Sequence, residues 1–265
     1  MVPELQGSLN GTRPVGAHPN LPLTPWALAQ DALAVARLGV RSVHVHPRCG
    51  DGDESIDPHH VGDVVDAIRS VVPAMEICVP TCRWIQPCPT QRAQMVAAWG
   101  RLGRAKPDTI AVNVHEDGWL DICQTACQLG IGLELGLWTP GDVVRLRQAG
   151  LPRGVVRVVA ETTVGDPEIA VEEAGRILKA LGRVPVPVLL HGEDASAWAV
   201  LEYATLQGYH ARIGLEDVLT NPDGSPTDGN AELVRHANWI RARGGPKAAH
   251  DRPKSTPSRR LARLR

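Results

Sequence analysis

Val40-Arg41-Ser42-Val43-His44-Val45-His46-Pro47-Arg48-Cys49-Gly50 is the stretch on which the reading of this chain turns. Its first half is a short apolar run and its second half a Pro- and Gly-marked loop, so it reads as a β-strand ending in a loop. Side chains two apart on a strand share a face. The imidazoles of His44 and His46 therefore lean together at the C-terminal mouth of the strand. Such a pair suits two cis ligands of one divalent metal, zinc first among them. A bare His-x-His is also what two hydrogen-bonded strand-end histidines look like, so the rest of the chain must decide.

Outward from this strand the same unit recurs. Apolar runs at residues 7–12, 42–46, 76–81, 109–114, 132–138, 155–161, 186–191 and 211–216 predict eight strands. Helical segments are predicted between them at 25–38, 61–72, 89–102, 119–129, 142–149, 169–181 and 195–207. Thr24-Pro25, Asp57-Pro58 and Thr139-Pro140 mark helix starts, and Gly39, Gly103, Gly130, Gly150, Gly182 and Gly208 fall where C-caps belong. Eight strand–helix units in about 250 residues is the pattern of an α/β (β/α)8 TIM barrel. An open doubly wound sheet is the alternative, but Asn10-Gly11-Thr12-Arg13-Pro14 is not the Gly-rich phosphate turn it would need. Residues 1–245 are expected to form a single catalytic domain. Residues 246–265 hold seven Lys or Arg, one acid and three Pro, and read as a disordered, solvated basic tail.

A net charge of -1 gives no bulk attraction to nucleic acid or to a membrane surface. With no Phe and two Tyr, the core is expected to rest on aliphatic residues and the seven Trp, and a base-stacking surface is disfavoured. The six cysteines follow no leader-like segment, and no apolar run approaches a membrane span; reduced thiols in a cytoplasmic protein are expected. Cys123 and Cys127 share a helix face and read as small core residues.

In a barrel of this kind the chemistry gathers at the C-terminal ends of the strands. Those ends carry Asn10 and Arg13, then His44, His46 and Arg48, then Thr81, Asn113, Glu116, Glu134, Glu161, His191, Arg212, Glu216 and Asp217. Asn10, Arg13, Arg48, Thr81, Asn113 and Glu116 are candidates for binding substrate. Glu134 and Glu161 are equally readable as core carboxylates paired with Arg157 or Arg212. The closing strand lies beside the first and next but one to the second, so Glu216 can converge on a metal held by His44 and His46. His2Glu with open positions is a catalytic zinc arrangement.

Together these residues resemble the β-keto acid cleavage enzymes. The resemblance rests on Asn10-Gly11-Thr12-Arg13, His18-Pro19-Asn20-Leu21-Pro22-Leu23-Thr24-Pro25, His44-Val45-His46-Pro47-Arg48 and Asp51-Gly52 with Ser55. It continues through Asn113 with Glu116 and Gly118, Glu134-Leu135-Gly136-Leu137-Trp138 and Leu190-His191-Gly192. It ends with Arg212-Ile213-Gly214-Leu215-Glu216-Asp217 and Asn230-Ala231-Glu232-Leu233-Val234. The resemblance implies a zinc-dependent barrel, a homotetramer, that converts a β-keto acid and acetyl-CoA into acetoacetate and a new acyl-CoA. It places zinc on His44, His46 and Glu216 and an Arg/Asp pair at Arg212 and Asp217, with Asp217 as the base. Three positions depart from the pattern: Pro80 stands where relatives carry a hydroxyl, Cys49 where Asp is common, and Arg13 where the aminohexanoate-cleaving relative has Glu. Arg13 is expected to repel a cationic acyl group and favour a neutral or anionic one, unless a rim carboxylate such as Asp217 or Glu232 pairs with it. A metal-dependent hydrolase of the amidohydrolase type, drawing on His191 or His115, and a non-catalytic barrel that binds zinc or a β-keto ligand are the other readings.

Overall fold

A computed structural model describes residues 4–244 and shows eight parallel strands closed into one barrel in chain order. The strands are β1 Leu5–Ser8, β2 Ser42–His44, β3 Glu76–Pro80, β4 Thr109–Asn113, β5 Gly132–Leu137, β6 Val155–Thr162, β7 Val188–Gly192 and β8 His210–Ile213. Around them lie α1 Pro25–Ala36, α2 Pro58–Val71, α3 Pro89–Ala98, α4 Trp119–Gln128, α5 Pro140–Ala149, α6 Pro167–Leu181, α7 Ala197–Gln207 and α8 Asn230–Gly244. The chain is a (β/α)8 barrel; the open doubly wound sheet is excluded. The basic segment 246–265 lies outside the described residues.

Five of the eight helices begin on a proline. Proline's fixed φ and missing N–H are tolerated at the first helical position, where that donor has no partner anyway. The residue before it does the capping: Thr24 Oγ1 accepts from Ala27 N at 3.2 Å, and Asp57 Oδ1 from His59 N at 2.8 Å. Thr139 and Asp142 close a reciprocal capping box on α5.

The strands divide their side chains between two faces. Ile110, Val112, Leu133, Leu135 and Leu137 are buried in the apolar core, while Asn113, Glu134 and Gly136 line the cavity inside the barrel. Below that cavity the interior is polar. Glu134 accepts from Gln6 Nε2 at 3.2 Å and Thr109 Oγ1 at 2.9 Å, and Arg157 Nε lies 3.4 Å away. Ser42 Oγ donates to Glu76 at 2.8 Å, and Arg157 also pairs with Glu76. The core-carboxylate reading of Glu134 is therefore correct.

Several expected boundaries move. β1 runs from Leu5 to Ser8, so residues 9–13 form a loop, while β2 stops at His44 and β8 at Ile213. The ladder ends early because side-chain amides take over the next backbone donors: His46 N bonds Asn10 Oδ1 at 2.9 Å, and Leu215 N bonds Asn230 Oδ1 at 2.7 Å. His46 and Glu216 are thus loop residues, not strand residues. The 89–102 helix breaks into α3 and two 3₁₀ turns, with Gly103 opening the second of them instead of capping a helix. Among the tryptophans, Trp99 and Trp119 are buried but Trp26, Trp84 and Trp239 are exposed, in keeping with a ring that carries a polar N–H. Cys123 is buried and Cys127 exposed, so only the first is a core residue; no disulfide joins the six cysteines. Among the described residues no helix is long and apolar enough to cross a membrane.

The β1–β8 seam leaves no room for a side chain at Gly214. A Cβ at Gly214 would stand 1.8 Å from the carbonyl oxygen of Ser8. Because the obstacle is backbone, Gly214→Ala should cost about 3 kcal/mol or more in unfolding free energy, the upper end of overpacking effects. Urea denaturation measures it, and a cost under about 1 kcal/mol would mean the seam yields.

Candidate metal centre and active-site cavity

His44 leaves the end of β2, His46 follows in the loop, and Glu216 arrives from the loop after β8 across the short strand β1. The two Nε2 atoms are 3.0 Å apart, and Glu216 Oε1 lies 3.7 Å from His44 Nε2 and 3.5 Å from His46 Nε2. Three ligands of a tetrahedral zinc at about 2.0–2.1 Å stand about 3.3 Å from one another. The observed spacings bracket that value. Glu216 Oε2 is buried without a hydrogen-bond partner, a second sign that this carboxylate is built for something besides the protein. The donor set fits a divalent metal with open positions.

Asn10 grips the turn between the histidines, accepting from His46 N and donating to His46 O at 2.8 Å. Arg212, on β8, donates to Glu216 Oε1 at 3.1 Å and to Asp217 Oδ1 at 2.6 Å. Burial pushes Glu216 up, but the charges of Arg212, His44 and His46 outweigh it and hold the carboxyl well below the usual range. Burial lowers His44. Burial also acts to lower His46, but the carboxylates of Glu216 and Glu54 hold that imidazole up at about 9. Asp217 has no exposed surface. Burial raises its pKa against the lowering by Arg212 and His191, and Ser8 Oγ donates to its second oxygen at 2.5 Å.

The triad faces a cavity of about 480 Å³ lined also by Arg13, Asn113, Glu161, His191, Glu193 and Arg212. Of the residues expected to bind substrate, Arg13 and Asn113 line it, and Asn10, Arg48, Thr81 and Glu116 do not. Arg48 is a staple, its guanidinium bonded to the carbonyls of Gly52, Gly11 and Arg13. Thr81 Oγ1 donates to Ala111 O at 2.8 Å. Glu116 forms a buried ion pair with Arg92 at 3.1 Å and accepts from Asn113 Nδ2. Arg13 pairs with Asp194 at 2.5 Å, not with Asp217 or Glu232, and its Nε donates to the carbonyls of Leu215 and Glu216. Pro80 and Cys82 both line the cavity, and burial keeps the Cys82 thiol protonated.

Glu54, Ser8 and Glu193 escaped the sequence reading. Glu54 lies in an acidic loop that looks solvated; Ser8 and Glu193 carry no distinguishing motif. Glu193, half-buried on the loop after β7, is pushed up to about 7 by burial and by Glu161. His191 stands between Glu161 at 3.4 Å and Asp217 at 3.6 Å. His115 packs edge-to-face with Trp138 and lies 3.9 Å from Asp142, outside the cavity lining, so it is no ligand for a hydrolase-type centre here.

Residues 5–252 match the family model of the beta-keto acid cleavage enzymes. Among solved structures, the chain is similar to ObcA in binary complex with oxaloacetate, at 16% identity and a TM-score of 0.66 over 86% of this chain and 65% of that one. The chain thus spans less than two thirds of that protein. ObcA in ternary complex with a C4-CoA adduct and oxalate gives 17% identity, a TM-score of 0.62 and coverage of 86% and 65%. A type I 3-dehydroquinate dehydratase from Clostridium difficile gives 10% identity and a TM-score of 0.62 over 91% and 93% of the two chains. At these identities the likenesses establish the fold alone.

With His46 protonated below about 9 in the metal-free protein, a metal entering the triad must displace one proton. Apparent zinc affinity should therefore rise about tenfold per pH unit between pH 6.5 and 8.5. Competition titrations across that range measure the slope, and a flat profile would show that no proton is displaced.

Proposed function

The chain belongs to the beta-keto acid cleavage enzyme family, and from that premise we propose a zinc-dependent enzyme that turns a β-keto acid and acetyl-CoA into acetoacetate and a new acyl-CoA. The observation that carries the proposal is the triad of His44, His46 and Glu216, open to the cavity with a buried arginine beside it. Oxaloacetate, bound by ObcA, is itself a β-keto acid, and the C4-CoA adduct of the same protein supports a CoA partner in a barrel of this shape. When bound, a divalent ion supplies Lewis-acid stabilisation of the enolate of such a substrate.

The chain's own residues do the rest. Arg212 lines the cavity, and its Nε is a buried donor with no partner among the described residues, available to a substrate carboxylate. Asp217 is the base, raised by burial and fixed through both oxygens by Arg212 and Ser8. Since Asp217 does not itself line the cavity, His191 is the group that passes it the C2 proton: the ring lines the cavity and its Nδ1 faces Asp217. The enolate then adds to the thioester of acetyl-CoA, CoA moves to the other acyl group, and retro-Claisen cleavage frees acetoacetate. Because Asp194 neutralises Arg13 while Glu193, pushed up to about 7 and so about half ionised near neutral pH, has no cation within 4.0 Å among the described residues, the mouth should accept neutral or cationic acyl groups over anionic ones. A homotetramer in the cytoplasm belongs to the same proposal; a monomer by light scattering would remove that part.

Purified protein should carry about one zinc per chain, and His46→Ala should lose most of it; full metal content in both His44→Ala and His46→Ala would move the site elsewhere. Asp217→Asn should keep the zinc yet lose about 10²–10⁴-fold in acyl transfer, the usual cost of a missing base. Wild-type turnover in that variant would take Asp217 out of the mechanism. A panel of neutral, aminated and carboxylated β-keto acids, assayed with acetyl-CoA for acetoacetate release, decides the charge preference; a best kcat/KM on the carboxylated member would reverse it.

A further inference from the structure

His46 has two ring nitrogens, and only Nε2 faces the triad. Its Nδ1 is held from the opposite side by the carboxylate of Glu54. That carboxylate is in turn held by the indole N–H of Trp84, 3.2 Å from Oε2 and 3.4 Å from Oε1. Glu54 sits in a loop of acids and glycines that reads as solvated surface, yet its side chain is 13% exposed and that of His46 2%.

The loop is folded so as to deliver it. Arg48 and Glu54 pair as an antiparallel bridge, Cys49 N bonds Asp53 O at 2.8 Å, and Ser55 N bonds Pro47 O at 2.8 Å. These bonds bring residue 54 back over residue 46, and the Arg48 guanidinium pins the turn through Gly52 O. From the next unit of the barrel, the loop after β3 carries Trp84 into the cavity wall with 44% of its surface exposed. An indole N–H aimed at a carboxylate under an open rim is an arrangement that a surface tryptophan does not need for its own burial.

We propose that Glu54, restrained by Trp84, is the positioning residue of the metal centre: it fixes His46 in the tautomer and ring orientation that present Nε2 to the ion, and so sets metal affinity. A carboxylate on the far nitrogen of a ligating histidine fixes the proton there and makes the ligating nitrogen more basic, and losing such a partner costs about 10–100-fold in affinity. Without it the His46 ring can rotate or accept the proton on Nε2, and either change spoils one of three ligands. Trp84 acts one step further out. It removes the freedom of Glu54 to swing into solvent, and it joins the metal centre to the cavity wall past which substrate must enter. The inference rests on the proposal that His44, His46 and Glu216 hold a divalent metal.

The test is zinc affinity by chelator competition, with the d–d spectrum of the cobalt-substituted protein as a second readout, on wild type, E54Q, E54D, W84F and the E54Q/W84F double variant. Denaturation midpoints of the metal-free proteins report fold separately. E54Q and E54D should bind zinc about 10–100-fold more weakly and shift the cobalt spectrum. W84F, which keeps an aromatic ring but removes the N–H, should weaken zinc by less, and should add nothing in the E54Q background. Wild-type affinity and spectrum in E54Q, with zinc bound normally by the parent, would overturn this inference alone. Independent, multiplying effects of E54Q and W84F would overturn the Trp84 restraint. A parent protein with no zinc affinity would overturn both this inference and the metal centre on which it rests.

Discussion

The guanidinium of Arg212 is the charge on which the upper half of the barrel depends. Glu216, Asp217 and Glu161 crowd one end of a low-dielectric interior, and burial alone would protonate them. Arg212 bonds Glu216 and Asp217 directly, and it acts together with His191 on Glu161, which is held below its ordinary value despite burial. Ionised Glu216 is what a metal ligand has to be. A buried cation shared among several carboxylates is weak evidence of stability, because the desolvation of all partners opposes the attraction. It makes better sense as the means of keeping acids charged where the chemistry needs them.

A second buried cluster lies below the first and behaves differently. Glu134 is answered by Gln6, Thr109 and Arg157, and Arg157 in turn reaches Glu76. In the upper cluster, by contrast, Glu216 Oε2, Arg212 Nε and both ring nitrogens of His191 lack hydrogen-bond partners. Buried polar groups are ordinarily satisfied, and four unpaired atoms gathered around one cavity are atoms that a bound ligand, ion or water would pair. The lower cluster floors the cavity where branched aliphatic layers are common in such barrels, and the upper one forms the candidate site. Glu134 of the lower cluster and Glu161 of the upper look alike in the sequence, each a lone Glu at an apolar run.

The sequence was legible where a local rule governed the outcome. Helix starts followed X-Pro pairs, strands followed apolar runs, and the meeting of His44, His46 and Glu216 followed from His44-Val45-His46 plus the ring arithmetic that leaves only β1 between β8 and β2. It was not legible where a side chain does its work across the fold. Arg48 and Thr81 stand at strand ends and so looked like cavity residues, yet each spends its polar atoms on backbone carbonyls. Glu54 was hidden for the converse reason, since nothing in an acidic loop reveals that residues 47–55 double back onto His46. Arg13 lines the cavity as its place at the rim suggested, but its partner Asp194 comes from a loop 181 residues away, and that pairing neutralises the charge that Arg13 would otherwise offer.

Convergence of His46 and Glu216, from the ends of β2 and β8, over β1 imposes a last constraint, on the width of what lies between. The loop after β1 has to pass beneath Glu216 while Asn10 holds the backbone of His46. Gly11 allows this: it takes φ +56°, and a Cβ there would stand 2.1 Å from Glu216 Cγ. No rotation of Glu216 about its own bonds answers that clash without removing its carboxylate from the histidines, because the Glu216 Cβ is itself 2.7 Å from the same point. Asn10-Gly11 is therefore a single device. The amide fixes His46 from the side, and the missing side chain beside it lets Glu216 in.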